Sequence, residues 1–257
     1  SRFCSIKHFY MFMNNSGLTS VTIPNGVESI RISAFSRCSG LTRVTIPNSV
    51  TCIWDMAFMN CSSLTDITIP NGVTSIKRNA FSNCSNLTSV TLPDSVESIG
   101  NAVFSGCSGL TSITVEKGNS RYDSRDNCNA IIETESNTLV QGCDITVIPD
   151  SVTSIGTSAF SRCKLTSINL HKGVTKIGDH AFAYCKGLKS VTIPNGVTSI
   201  EMSAFLDCNS ITSVTIPKSV TSIGQSAFGC YIGADGYVKK MPNFIIYGAS
   251  GSEAERY

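Results

Sequence analysis

The chain has 257 residues with 20 basic and 18 acidic side chains, a formal net charge of +2, and only 15% charged residues, against roughly 25% in an ordinary soluble domain. With no Lys/Arg block there is no concentrated positive field, which excludes nucleic acid and anionic lipid as main partners, and no apolar run approaches the ~18 residues of a membrane span. Its 38 serines and 24 threonines make up about a quarter of the chain, so the surface is built from hydroxyls rather than charges.

In chain order, Ser1 to Tyr10 shows neither an initiator Met nor a charged-then-apolar leader, so any address signal is expected outside this sequence. Residues 1–17 are expected as a partial repeat or N-terminal cap, because Phe12 precedes Phe35 by one full repeat period. From residue 18 the chain repeats itself. Leu18, Leu41, Leu64, Leu87 and Leu110 are evenly spaced, and Leu165, Leu188 and Ile211 resume the same register. The Ile column from Ile30 to Ile223 and the Phe column from Phe35 to Phe228 march in step, with a Cys three positions after each Phe, or two at Cys230. Fixed self-similarity of this length marks a stacked-repeat architecture.

One unit reads LTSVTIPNGVESIRISAFSRCSG, Leu18 to Gly40. Leu18, Val21 and Ile23 with Thr22 between them predict a short half-buried strand. Pro24-Asn25-Gly26 stops it and bends the chain. Ala34, Phe35 and Cys38 span one helical turn, which predicts a short α or 3₁₀ turn. No single unit can bury these side chains, but stacked units line them into one continuous core.

Regular units are expected over 18–115 and 145–230. Between them, the stretch from Leu110 to Leu165 is longer than two units, and the excess lies in Glu116 to Asp144. A hairpin centred on Glu135-Ser136 would pair Ile132 with Leu139 and set Cys128 opposite Cys143, a possible disulfide. In 231–257, Met241, Phe244 and Ile246 repeat the strand spacing, and Ser252-Glu253 opens a capping helix.

The L-x-x-V-x-I-P strand, N-G-V-x-S-I and A-F-x-x-C, recurring in fixed register, resemble the leucine-rich repeats of the BspA-type (Treponema pallidum-like) class, over most of Leu18 to Ile246. The sequence departs from the general leucine-rich repeat in lacking its strand-capping Asn. The resemblance implies an α/β repeat fold: a single right-handed leucine-rich-repeat solenoid with a parallel sheet on the concave face and short helical or 3₁₀ turns on the convex face. It further implies a secreted or cell-surface module that binds host matrix or cell-surface proteins, and a monomer is expected. A carbohydrate-binding or purely architectural array within a larger surface protein is the alternative.

Candidate chemistry is thin. One thiol per turn, with no C-x-x-C, gives a row instead of a tetrahedral cluster, so the cysteines read as small buried hydrophobes and neither a metal nor a cofactor is expected. His8, His171 and His180 accompany no nucleophile motif, and Asp123, Asp126 and Asn127 lack the spacing of a calcium loop. No enzyme is expected. Outward positions of the strands give Ser20/Thr22, Arg43/Thr45, Asp66/Thr68, Ser89/Thr91, Ser112/Thr114, Ser167/Asn169, Ser190/Thr192 and Ser213/Thr215, a hydroxyl face that is either a binding surface or simply a solvated sheet. Arg43 and Asp66 are expected to face each other. Trp54 stands in a column of Arg31, Lys77, Glu201 and glycines, which makes it a candidate contact residue, and Cys52, in a polar column of serines and Lys176, is expected to be the most reactive thiol.

Overall fold

The computed structural model describes residues 12–257. Cys4, His8 and the first part of the expected N-terminal cap lie outside the described residues. The chain divides into two compact units, Ser1–Thr134 and Glu135–Tyr257.

In the first unit, Ser29–Ile30, Cys52–Ile53, Ser75–Ile76 and Ser98–Ile99 form a parallel sheet in which each Ile lies beside the corresponding Ile of the next turn. The opposite limb of the turn carries the hydroxyl face. There Ser20–Thr22 pairs in parallel with Arg43–Thr45, setting Val21 beside Val44, and Ser89–Leu92 pairs with Ser112–Val115. The expected strand around Ile67 joins neither pair. In the second unit Thr138–Gly142, Ser154–Ile155, Lys176–Ile177, Ser199–Ile200 and Ser222–Ile223 form the Ser–Ile sheet. On its hydroxyl limb only Ser213–Thr215 and Ile245–Tyr247 pair among the described residues; the latter includes the Ile246 of the strand expected after Met241.

The expectation of helical turns is corrected. Among the described residues, helix is confined to a 3₁₀ turn at Arg125–Asn127 and an α-helix at Glu253–Arg256. The A-F-x-x-C segment instead divides its N–H groups alternately. Those of Ala34, Ser36 and Cys38 close local i→i−3 turns onto Arg31, Ser33 and Phe35, while those of Ser33, Phe35 and Arg37 donate to Asp55, Ala57 and Met59 of the next turn. An α-helix would direct every one of these donors back along its own segment. Two left-handed residues per turn, such as Ser33 (φ 55°) and Arg37 (φ 61°), or Asn79 and Asn83, interrupt it further. Asn in particular suits the conformation.

This edge holds the core together. Phe12, Phe35, Phe58, Phe81 and Phe104 stack with centroids 5.2–5.5 Å apart, and Phe160, Phe182, Phe205 and Phe228 stack at 4.7–5.2 Å. Offset stacking of this kind adds about 0.5–1.5 kcal/mol per pair beyond area burial. Thiols of the following Cys column donate to a Phe carbonyl of the preceding turn: Cys38 to Phe12 at 3.0 Å, Cys61 to Phe35 at 3.1 Å, Cys107 to Phe81 at 3.1 Å and Cys208 to Phe182 at 3.1 Å. The column therefore needs a small side chain that is apolar enough to bury and still able to donate. Threonines staple the turns from outside, Thr42 to the Thr19 carbonyl (2.9 Å), Thr51 to Glu28 (3.1 Å) and Thr198 to Thr175 (3.2 Å).

In the 116–144 segment strands lie on both sides of Glu135-Ser136, at Ala130–Glu133 and Thr138–Gly142, as the expected hairpin requires. A further antiparallel pair joins Tyr122–Asp123 to Ala130–Glu133, with Ile132 beside Asp123. Asn119 pins it to the turn before, donating to the carbonyls of Pro93 (2.9 Å) and Val96 (3.0 Å), and buried Tyr122 accepts the Ile99 N–H at 3.2 Å. Thr138–Gly142 belongs to the Ser–Ile sheet, with Leu139 beside Ile155. Gly142 then takes the place of a Phe: its N–H donates to Ala159, and an added Cβ would lie 2.2 Å from the Phe160 ring.

Candidate functional site: the hydroxyl face

The strands of the hydroxyl limb alternate as their composition requires. Val44, Val90, Ile113, Val191 and Val214 are buried. Ser20, Thr22, Arg43, Thr45, Asp66, Thr68, Ser89, Thr91, Thr114, Ser167, Asn169, Ser190, Thr192, Ser213 and Thr215 are exposed, and Ser112 is half-buried. Where the sheet is continuous the hydroxyls meet across strands, as Thr91 Oγ1 and Thr114 Oγ1 do at 3.0 Å. Arg43 and Asp66 form no ion pair among the described residues, and Asp66 accepts a hydrogen bond from its neighbour Thr65 at 3.1 Å.

The face is open at intervals. No backbone N–H or C=O of Asp66–Ile69 has a hydrogen-bond partner among the described residues. A slit of 340 Å³ runs beside them, bordered by Asp66, Thr68, Ser89, Thr91 and Glu116. Periodicity alone predicts a strand here, because the apolar spacing of this turn matches its neighbours.

Trp54 is half-buried and its N–H donates to Ile30 at 2.9 Å. The glycines of its column are there for close approach rather than for water, since an added Cβ at Gly100 would lie 2.5 Å from Arg78 N and at Gly224 2.3 Å from Met202 N. Cys52 is half-buried and so is Cys163, although the column pattern places Cys163 in the core. Burial pushes the Cys52 thiol up, opposed by Lys77 and a hydrogen bond with Ser75. Within the column, burial pushes Cys61 and Cys208 up to about 12. For Cys84 a hydrogen bond with Cys107 contributes most to an upward shift, with burial second. Such thiols are poor nucleophiles.

Cys128 and Cys143 are both buried thiols, not joined in the disulfide that the hairpin register suggests. Cys128 lies 3.8 Å from the Ala130 carbonyl, and Thr146 donates to Cys143 Sγ at 3.6 Å. Asp123 grips Arg125, with oxygens 2.9 and 3.0 Å from Nε and 2.7 Å from a terminal nitrogen, which occupies a carboxylate of the DSRDN segment. His171 Nδ1 accepts the Gly173 N–H at 3.1 Å, and His180 sits at φ 54° as a turn residue. No group of three or more His, Cys, Asp and Glu side chains able to hold a metal occurs among the described residues. No described helix is long and apolar enough to cross a membrane. Nothing in the repeat pattern announces a 670 Å³ hollow in the second unit, lined by Phe228, Phe244, Ile246 and Tyr257. Beside it the Tyr257 hydroxyl accepts the Phe228 N–H (3.0 Å) and donates to the Phe228 carbonyl (3.2 Å).

Parallel turns in fixed register, with one apolar column per position and a polar outward limb, define a leucine-rich-repeat solenoid. The profile of the BspA type Leucine rich repeat region matches residues 6–131 and 136–232, in six copies, and the chain belongs to that family. Among solved structures it is similar to a leucine rich cell surface protein from Faecalibacterium prausnitzii A2-165. The two are 29% identical with a TM-score of 0.64, over 95% of this chain and 76% of that one. The pneumococcal vaccine antigen PcpA is 20% identical, TM-score 0.58, over 91% of this chain and 63% of that one. A leucine-rich repeat protein from Eubacterium ventriosum ATCC 27560 is 23% identical, TM-score 0.55, over 80% and 56%. These last two likenesses concern the fold, and this chain spans under two thirds of their length. A search of curated proteins finds no match.

Proposed function

We propose that this chain is a non-enzymatic interaction module of a bacterial cell surface, binding a protein partner across the hydroxyl face. The observation that carries the reading is the asymmetry of the turn. Buried thiols, stacked rings and paired backbone fill the Phe–Cys edge, whereas the hydroxyl limb presents exposed Ser and Thr from turn after turn with little structural work for their outer atoms. Flat arrays of small donors and acceptors adapt to protein surfaces at low entropic cost. Membership of the BspA-type family, and similarity to a protein described as a cell surface protein, support the setting. Host matrix or cell-surface proteins are the partner class this reading favours. Saccharides are second, because the outward positions from Ser20 to Thr215 carry no aromatic ring on which a sugar could stack.

The test is binding of the chain to purified matrix proteins and to a glycan array. Thr91→Lys and Thr114→Lys place bulk and charge on the face, and Trp54→Ser, beyond the Ser–Ile ladder, tests the other candidate contact residue. Loss of matrix-protein binding in the two lysine variants alone is the expected result. Retained binding in both would move the contact elsewhere on the turn.

A further inference from the structure

We propose that the slit beside Asp66–Ile69 is a receptor for an arginine side chain of the partner, an assignment that rests on the hydroxyl face being the contact surface. Within the first unit the slit lies between paired strands, Ser20–Thr22 with Arg43–Thr45 on one side and Ser89–Leu92 with Ser112–Val115 on the other. Its 340 Å³ accommodates a guanidinium on its three-carbon stem but not a polypeptide strand, because the Ser75–Ile76 and Ser98–Ile99 limbs of the same turns remain paired.

The wall chemistry is that of an acceptor for a flat, multiply donating cation. Asp66 and Glu116 contribute carboxylates, Thr68, Ser89 and Thr91 contribute hydroxyl oxygens, and the carbonyls of Asp66–Ile69 are unclaimed among the described residues. No cationic side chain lines the slit among the described residues. Glu116 holds its carboxylate in place by accepting the Asp94 N–H at 3.3 Å. Five N–H donors in a rigid fork match such a set better than the point charge of a lysine. The second unit supplies an internal contrast. The backbone of Ser167–Leu170 and Ser190–Ile193 is equally open, but the outward residues there are Ser167, Asn169, Ser190 and Thr192, with no carboxylate. Arginine should therefore select the first unit over the second.

The experiment titrates N-acetyl-arginine amide, and its neutral citrulline counterpart, into the ¹⁵N-labelled chain at low and at physiological salt. Expected are amide shifts confined to residues 66–69, 89–91 and 116, absent with citrulline, weakened by salt, and at least tenfold weaker in Asp66→Asn/Glu116→Gln. Asp66→Glu, which keeps the charge, should retain most of the affinity, and this separates loss of the carboxylate from loss of fold. Equal response to citrulline, shifts centred on 167–170 or 190–193, or unchanged affinity in the double variant would overturn the proposal. Arginine shifts at the slit with unchanged matrix-protein binding in Thr91→Lys and Thr114→Lys would leave the receptor standing and remove the broader reading of the face.

Discussion

The Phe–Cys edge and the hydroxyl face are two limbs of the same repeat, yet they are built to different tolerances. On the edge each turn hands three backbone N–H groups to the next, a ring to the stack and a thiol to a carbonyl. On the face, Asp66–Ile69 hands on nothing through its backbone among the described residues. A stacked array needs only one limb in strict register to hold its spacing, which leaves the other free to vary in outward side chains and in pairing. Stability and recognition are thereby separated in space, and substitutions on the two limbs should separate them in measurement.

The largest expected effect is Phe81→Ala. Phe81 is fully buried between Phe58 and Phe104, whose spacing is fixed by their own turns, so the void cannot close. Chemical denaturation should show a loss of ~3–5 kcal/mol, whereas Thr91→Val on the face should change stability by no more than about 1 kcal/mol. Equal costs would abolish the distinction between the limbs. Next is Gly142→Ala, which puts a methyl group into the Phe160 ring and should cost ~1–3 kcal/mol through overpacking. A neutral result would mean that Phe160 has room to move.

The periodic part of this comparison was legible in the sequence because the columns report burial directly: Leu, Ile and Phe positions are core, and Val21 lies beside Val44 as the spacing requires. The helical turn was not. Ala34, Phe35 and Cys38 have helical spacing, but the spacing cannot show that alternate N–H groups are claimed by another turn, and only the recurrent Ser and Asn at positions 33, 79 and 83 hinted at left-handed backbone. In the insertion the strands on either side of Glu135-Ser136 were legible from its symmetry, whereas the pairing of Leu139 with Ile155 in the next turn and the place of Gly142 in the Phe column were not. On the face, the outward residues were legible from alternation alone, but the slit was not, since the 64–69 pattern is the same as in the paired turns.

Alkaline stability tests the edge without mutation. Thiols held at about 12 in the fold, as at Cys61 and Cys208, ionise near their ordinary value of 9.0 once the chain unfolds. Because the folded state keeps its protons, the contribution is fully present below pH 9 and is lost progressively as pH rises from about 9 to 12. Thermal melting followed from pH 8 to 11 should show a falling Tm, blunted in Cys61→Ala/Cys208→Ala. A flat profile in the parent chain would show that these thiols are solvated.

The smallest effect concerns reactivity rather than stability, and it separates the limbs most finely. Cys61, Cys84, Cys185 and Cys208 are buried with their thiols donated to Phe carbonyls, while Cys52 is half-buried on the Ser–Ile sheet. At Cys52 burial raises the thiol, but Lys77 and Ser75 favour the thiolate, and access is what the column thiols lack. Timed alkylation of the folded chain at pH 8, read by peptide mass mapping, should label Cys52 and the half-buried Cys163 first, with the buried Phe-following thiols modified only as the chain opens. Labelling of Cys84 or Cys185 ahead of Cys52 would mean that the Phe–Cys edge opens more readily than the Ser–Ile sheet, and the edge would then no longer be the limb that sets the register.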